Sequence, residues 1–262
     1  MALADGARIL QLTYADRRVA KSHVFHDFAS LGVEDAQIQM PYSLWVVDAR
    51  DGAIVIDTGF HVPDSYWVAD AEWRTVPSML REAGIHPLRV AAVVLTHYHF
   101  DHAGHVDLFP NAMVFASRRE HEHWMPQPAA DLRAKFVWPE HMESIARAET
   151  EGRLALLDGS SEISPGVTVI PAPGHTPGQV AVTVATPNGG RILASDAVHF
   201  SEQIDLGWQF FARSDAEQSD RSIAALRSLS ERSGWPIIPG HDARVRERYP
   251  ALAGRDFATV LA

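Results

Sequence analysis

Short apolar runs closed by polar or glycine-bearing punctuation recur along this chain, at residues 43–47, 53–56, 90–95, 113–115, 167–170, 180–184 and 192–194. Their length and their β-branched and aromatic content predict strands. Helix signals lie between them. The clearest begins where Ser214 or Asp215 can cap and Glu217 or Gln218 can close the capping box. Ile223, Leu226 and Leu229 then share one face, and Gly234 and Pro236 end it. A first helix is predicted around residues 78–83, after an N-terminal part made mostly of strands. Helices interspersed among so many strands predict a layered α/β fold, read as one domain over residues 1–262.

Composition narrows the function classes. With 262 residues and 46% hydrophobic content the chain can bury a substantial core. No apolar stretch is long enough to span a membrane, and the first eight residues lack the basic-then-apolar pattern of a secretory signal. A cytoplasmic protein without membrane association is therefore expected. The absence of cysteine removes disulfides and thiolate ligands. A formal charge of -10 argues against nucleic acid as a partner, because that grip needs clustered Lys and Arg. A small molecule is expected instead. Residues 122–143 carry Trp124, Pro126, Pro128, Phe136, Trp138 and Pro139 without regular periodicity, and read either as a lid or as an irregular segment packed on the body.

Chemistry concentrates in one hexapeptide, His97, Tyr98, His99, Phe100, Asp101 and His102, directly after the run that ends at Leu95 and Thr96. Imidazole and carboxylate are ligands that suit Zn²⁺ and its neighbours. On an extended chain His97, His99 and Asp101 share one side, so a turn must begin near Asp101 to bring His102 round, and Ala103-Gly104 supplies permissive backbone for it. Two ions fit better than one, because four ligands filling a tetrahedral site would leave no open position for water. Further ligand candidates, His175, Asp196 and His241, each follow a strand-like run. The other histidines, including His23, His26, His61, His86, His121, His123 and His141, read as surface or hydrogen-bonded residues. His105 and Asp57 read as groups that orient a ligand.

The motif HYHFDH, the later His175, Asp196 and His241, and Asp57-Thr58-Gly59 after a strand together resemble the metallo-β-lactamase superfamily over nearly the whole chain. The resemblance implies a four-layer αβ/βα sandwich with the site at one edge between two sheets. It places His97, His99 and His175 on one divalent metal and Asp101, His102 and His241 on the other, with Asp196 bridging. Zinc is the expected metal, while Fe, Co and Mn accept the same ligands. His99 stands where the family's di-iron flavoprotein reductases have glutamate, which favours hydrolysis over redox chemistry. The lack of cysteine separates the chain from the cysteine-bearing zinc β-lactamases.

The segments around residues 192–200 and 239–250 look most like the N-acyl-homoserine lactonase branch. A small-molecule lactone or ester is then the expected substrate, opened by a hydroxide shared between two cations, with Asp101 as the catalytic proton carrier. The branch places a tyrosine three residues after the bridging aspartate to hold the lactone carbonyl. Here that position is His199, whose imidazole can donate the same kind of bond or simply pack. Phe25, Phe28, Met40, Trp45, Trp67, Trp138, Trp208, Phe210 and Phe211 are candidate walls for an acyl chain, with Tyr98 and Phe100 packing inside their loop. A glyoxalase II-like thioesterase, a lactonase for another small ring and an inactive metal-binding sensor are the alternatives. A homodimer is compatible with the resemblance.

Overall fold

The computed structural model describes residues 7–48, 52–60, 68, 70–187 and 189–262. Two mixed sheets stack face to face. The larger follows the order β13 (Ala251–Leu252), β14 (Arg255–Val260), β1 (Arg8–Ala20), β2 (Gln37–Asp48), β3 (Ala53–Ile56), β5 (Val90–Val94), β6 (Met113–Ser117) and β7 (Leu154–Leu157), with the short β4 (Glu72–Trp73) paired to β1. The smaller runs β12 (Ile237–Pro239), β11 (Gly189–Ser195), β10 (Val180–Thr186), β9 (Val167–Pro171) and β8 (Ser161–Ser164).

The period-two alternation of strands distributes their side chains between two cores. Ile54, Ile56 and Val94 face the second sheet, where they meet Val169, Val182, Leu193 and Ile238. Val55 and Val93 face outward onto Met79 and Leu80 of α2 (Val76–Glu82) and Ile145 of α5 (Pro139–Thr150). On the far side Ala181, Ile192 and Ala194 pack against Ile223 and Leu226 of α7 (Ala216–Ser233). Helix, sheet, sheet and helix make the expected four-layer αβ/βα sandwich. The Asp215 side chain accepts from Gln218 N–H at 2.9 Å to start α7, and Gly234 at φ 71° ends it, as the sequence predicts.

Two features depart from the sequence reading. The long β1 carries no alternation because both its faces are covered: Gln11 and Thr13 are buried, and Thr13 Oγ1 meets Ser43 Oγ at 3.1 Å. A one-turn helix, α1 (Lys21–Val24), also precedes α2, so the first helix comes earlier than expected. Residues 122–143 continue from α3 (Arg118–Trp124) through α4 (Ala129–Arg133) into α5, and Trp124, Leu132, Val137 and Met142 sink into the core. That segment packs on the body. No helix among the described residues is long and apolar enough to cross a membrane.

Because β3 runs parallel to β5, and β11 parallel to β12, the loops that follow these four strands emerge at one edge of the sandwich. Asp57, the hexapeptide, Asp196 and His241 all lie in those loops.

Candidate metal centre

The hexapeptide turns slightly earlier than its sequence suggests: His102 N–H donates to His99 O at 3.0 Å, so the turn opens at His99. The Asp57-Thr58-Gly59 loop fastens it. Thr58 donates to His102 O through N–H at 2.6 Å and through Oγ1 at 3.0 Å, and Gly104 N–H donates to Gly59 O at 2.7 Å. A Cβ at position 104 would stand 2.4 Å from Gly59 O, so this close approach requires glycine.

Two groups of expected ligands form there, His97, His99 and His175 in one and Asp101, His102, Asp196 and His241 in the other, with donor atoms within 4.8 Å of one another in each group, and a further set, His175, Asp196 and His199, overlaps them. All seven residues expected as ligands are thus brought together. Asp196 faces both groups. Its Oδ1 lies 3.3 Å from His102 Nε2 and 3.1 Å from His241 Nε2, while its Oδ2 lies 3.4 Å from His175 Nε2 and 3.9 Å from His97 Nε2. Asp101 Oδ2 stands 3.4 Å from His102 Nε2 and 3.8 Å from His241 Nε2.

The outer ring nitrogens decide what the inner ones offer. Nδ1 of His102 meets Asp57 Oδ2 at 2.8 Å, that of His175 meets Ala212 O at 2.7 Å, and that of His241 meets Pro41 O at 2.9 Å. These oxygens only accept, so each Nδ1 carries the hydrogen and the Nε2 lone pair of the neutral ring turns inward. His97 Nε2 and His102 Nε2 are buried with no hydrogen-bond partner. Inward lone pairs and unpartnered buried nitrogens beside a shared carboxylate fit two divalent cations.

Electrostatics divides the two groups. Burial holds His97, His99 and His175 below the usual imidazole range, with neighbouring imidazoles adding to the effect at His97 and His99. Burial also opposes charge on His102 and His241, yet there the carboxylates prevail and both rings sit above that range: Asp101, Asp196 and Asp57 at His102, Asp196 and Asp101 at His241.

Sequence reasoning found one supporting group and missed two. Asp57, held at a positive φ of 64°, accepts from Thr96 N–H (2.8 Å), Thr96 Oγ1 (2.9 Å) and Ser195 Oγ (3.2 Å) besides orienting His102. His105 instead braces the neighbouring loop through Phe60 O at 3.0 Å. The missed residues are Tyr14, whose hydroxyl donates to Asp101 O at 2.5 Å, and Glu120. The buried Glu120 carboxylate accepts from Tyr98 N–H, Trp124 Nε1, Thr176 Oγ1 and Gly178 N–H at 2.7–3.1 Å, which ties the hexapeptide, α3 and the His175 loop together. No local pattern marks either residue.

A cleft opens over the donors. Met40, Phe210 and Phe211 of the expected wall residues line it, whereas Phe25 and Trp45 are buried in the cores and Phe28, Trp138 and Trp208 pack against them. Trp67 and His61 lie outside the described residues. Tyr98 is fully buried, but Phe100, expected to pack within its loop, lines the cleft and stacks on Trp138 with ring centres 4.6 Å apart. His23 is exposed, as expected, and borders the cleft. His199 stacks on Phe210 at 3.4 Å with its Nε2 3.0 Å from Asp196 Oδ2, out of line for a hydrogen bond, and both its nitrogens lack a hydrogen-bond partner.

The sequence model of the metallo-beta-lactamase superfamily matches residues 39–241. N-acyl homoserine lactonase AttM of Azorhizobium caulinodans is 30% identical over 230 residues, 79% of this chain and 84% of that protein. A solved structure of a quorum-quenching N-acyl homoserine lactone lactonase superposes with a TM-score of 0.77 at 20% identity, covering 97% of this chain and 98% of its own. The dizinc quorum-quenching lactonase AidC, solved with a product homoserine, superposes at 0.74 with 20% identity, covering 93% and 90%. Those two likenesses speak for the fold alone. Joined to a family match over more than half the chain, and to a relative aligned over most of both proteins, they leave one assignment: this chain belongs to the metallo-β-lactamase superfamily.

Proposed function

We propose that this protein is a lactonase that opens the ring of N-acyl homoserine lactones, with two zinc ions held by His97, His99 and His175 on one side, by Asp101, His102 and His241 on the other, and by Asp196 between them. The observation that carries the reading is the pair of donor groups sharing Asp196 at the floor of a largely apolar cleft. The relatives named as lactonases supply the substrate class.

When bound, such cations supply hydroxide at neutral pH and polarise a carbonyl. The chain's own residues do the rest. Asp101 turns Oδ2 toward His102 and His241, and its other oxygen takes the proton of the attacking water. As the oxygen–carbon bond forms and the ring C–O bond breaks, that proton passes to the departing ring oxygen, which leaves as a hydroxyl. Burial keeps the His199 imidazole neutral, with its pKa lowered to about 3, so that one nitrogen carries a hydrogen for the lactone carbonyl. Met40, Phe100 and Phe210 exclude water and give the acyl chain an apolar wall.

The test is product identification after zinc-replete protein is incubated with N-octanoyl homoserine lactone, alongside a small γ-lactone and an acyl-glutathione thioester. The reading expects addition of one water with the amide intact and fastest turnover of the acyl lactone. Amide cleavage, or turnover of the thioester alone, overturns it.

A further inference from the structure

One wall of the cleft carries a cation that nothing above uses. Arg17 and Val19 sit two apart on β1 and both line the cleft, with Met40 opposite Arg17 in the β1–β2 register. The Arg17 side chain is only 15% exposed. Among the described residues its one partner is Asp70, which is 60% exposed and has Oδ1 3.4 Å from Nε, out of line for a hydrogen bond. Nε is buried and has no hydrogen-bond partner. A guanidinium presents its five donors in a rigid fork, so leaving the buried Nε without an acceptor beside Val19, Val24 and Met40 is unfavourable even with Asp70 supplying the opposite charge nearby, unless a ligand brings an acceptor.

The chemistry of that acceptor follows from its surroundings. Asp70 already supplies the opposite charge, so what the fork lacks is a neutral oxygen. The reacting ring must lie over Asp101 and Asp196, whereas Val19, Val24 and Met40 offer the apolar surface along which an acyl chain runs. We propose that Arg17 is a specificity-determining residue that hydrogen-bonds an oxo or hydroxyl oxygen on the acyl chain of the lactone, so that the enzyme prefers oxygen-bearing chains to plain alkanoyl chains of equal length. This rests on the lactonase reading above and extends it to the substrate's tail.

The experiment compares kcat and KM for N-octanoyl and N-(β-oxo-octanoyl) homoserine lactone, using wild-type zinc-loaded protein, Arg17→Met and Arg17→Lys. Wild type is expected to favour the β-oxo chain in kcat/KM by roughly tenfold, the worth of one good hydrogen bond to a charged donor, mainly through KM. Arg17→Met brings the ratio close to one, and Arg17→Lys recovers part of it. A wild-type ratio of one overturns the proposal whether or not the variants fold, as does a preference that survives in Arg17→Met. If the octanoyl lactone is opened without any preference, only the role of Arg17 falls. If neither lactone is opened, the lactonase reading falls with it.

Discussion

Glu120→Gln isolates what holds the two histidine-bearing loops together. In wild type one carboxylate oxygen accepts from Tyr98 N–H at 3.1 Å and Trp124 Nε1 at 2.7 Å, and the other accepts from Thr176 Oγ1 and Gly178 N–H, both at 2.8 Å. Glutamine turns one of these oxygens into a donor. Placed at the first position, the new amide would confront two fixed N–H groups. At the second it confronts only Gly178 N–H, because the Thr176 hydroxyl can rotate to accept. The second orientation is the less costly, and it still leaves one buried N–H unpaired at about 1–3 kcal/mol while weakening the other bonds from charged to neutral acceptors. Burial raises the pKa of the Glu120 carboxyl, so neutralising it returns part of that loss. A net cost of about 2 kcal/mol lowers the melting midpoint of a domain this size by roughly 4–8 °C.

Tyr98 lies between two candidate ligands and Gly178 follows His175 closely, so zinc affinity should fall roughly 10–100-fold, as it does when supporting partners of metal ligands are lost. Calorimetric melting of metal-free protein and competition with a chelating dye measure the two effects, with the exposed neighbour Glu122→Gln as control. A midpoint within about 1 °C of wild type, together with unchanged affinity, would refute the reasoning.

Three further outcomes are expected. Asp57→Asn removes the charge that orients His102 and should weaken zinc binding roughly 10–100-fold in the same dye competition, with retained affinity counting against Asp57 as the orienting group. Asp101→Asn should lower kcat by about 10²–10⁴ while elemental analysis shows a much smaller loss of metal, and an unchanged rate removes Asp101 from proton transfer. In metal-free protein burial opposes charge on His102 and His241, but the carboxylates around them prevail and make both rings hold protons more readily than an ordinary imidazole, so a cation there competes with protons. Burial makes His97, His99 and His175 bind protons less readily, so the competition there is weaker. Zinc affinity at the Asp101 group should therefore fall as pH drops through neutrality, by up to about tenfold per proton per pH unit, while the three-histidine group responds weakly. Calorimetry in buffers of different ionisation enthalpy counts the released protons, and a count of zero contradicts this assignment.

Local order in the chain was sufficient for much of this protein. Apolar runs of strand length, the Asp215 cap and Gly234 stop of α7, and the histidine spacing of the hexapeptide are all encoded within a few neighbouring residues, so they are legible without the fold. The pairing of β3 with β5 and of β11 with β12 is not local. Only that pairing brings Asp57 to 2.8 Å from His102 and Asp196 between two groups of imidazoles. The strand β1 stayed hidden because burial on both faces erased the alternation of its first half and the polar run Asp16-Arg17-Arg18 interrupted the second, and with it went Tyr14 and Arg17. Glu120 is one more glutamate in the sequence until the hexapeptide and the His175 loop close around its helix. Propensity and motif spacing act along the chain, whereas burial, hydrogen-bond partners and charge neighbours are set by residues distant in sequence, and so only the folded structure could assign them.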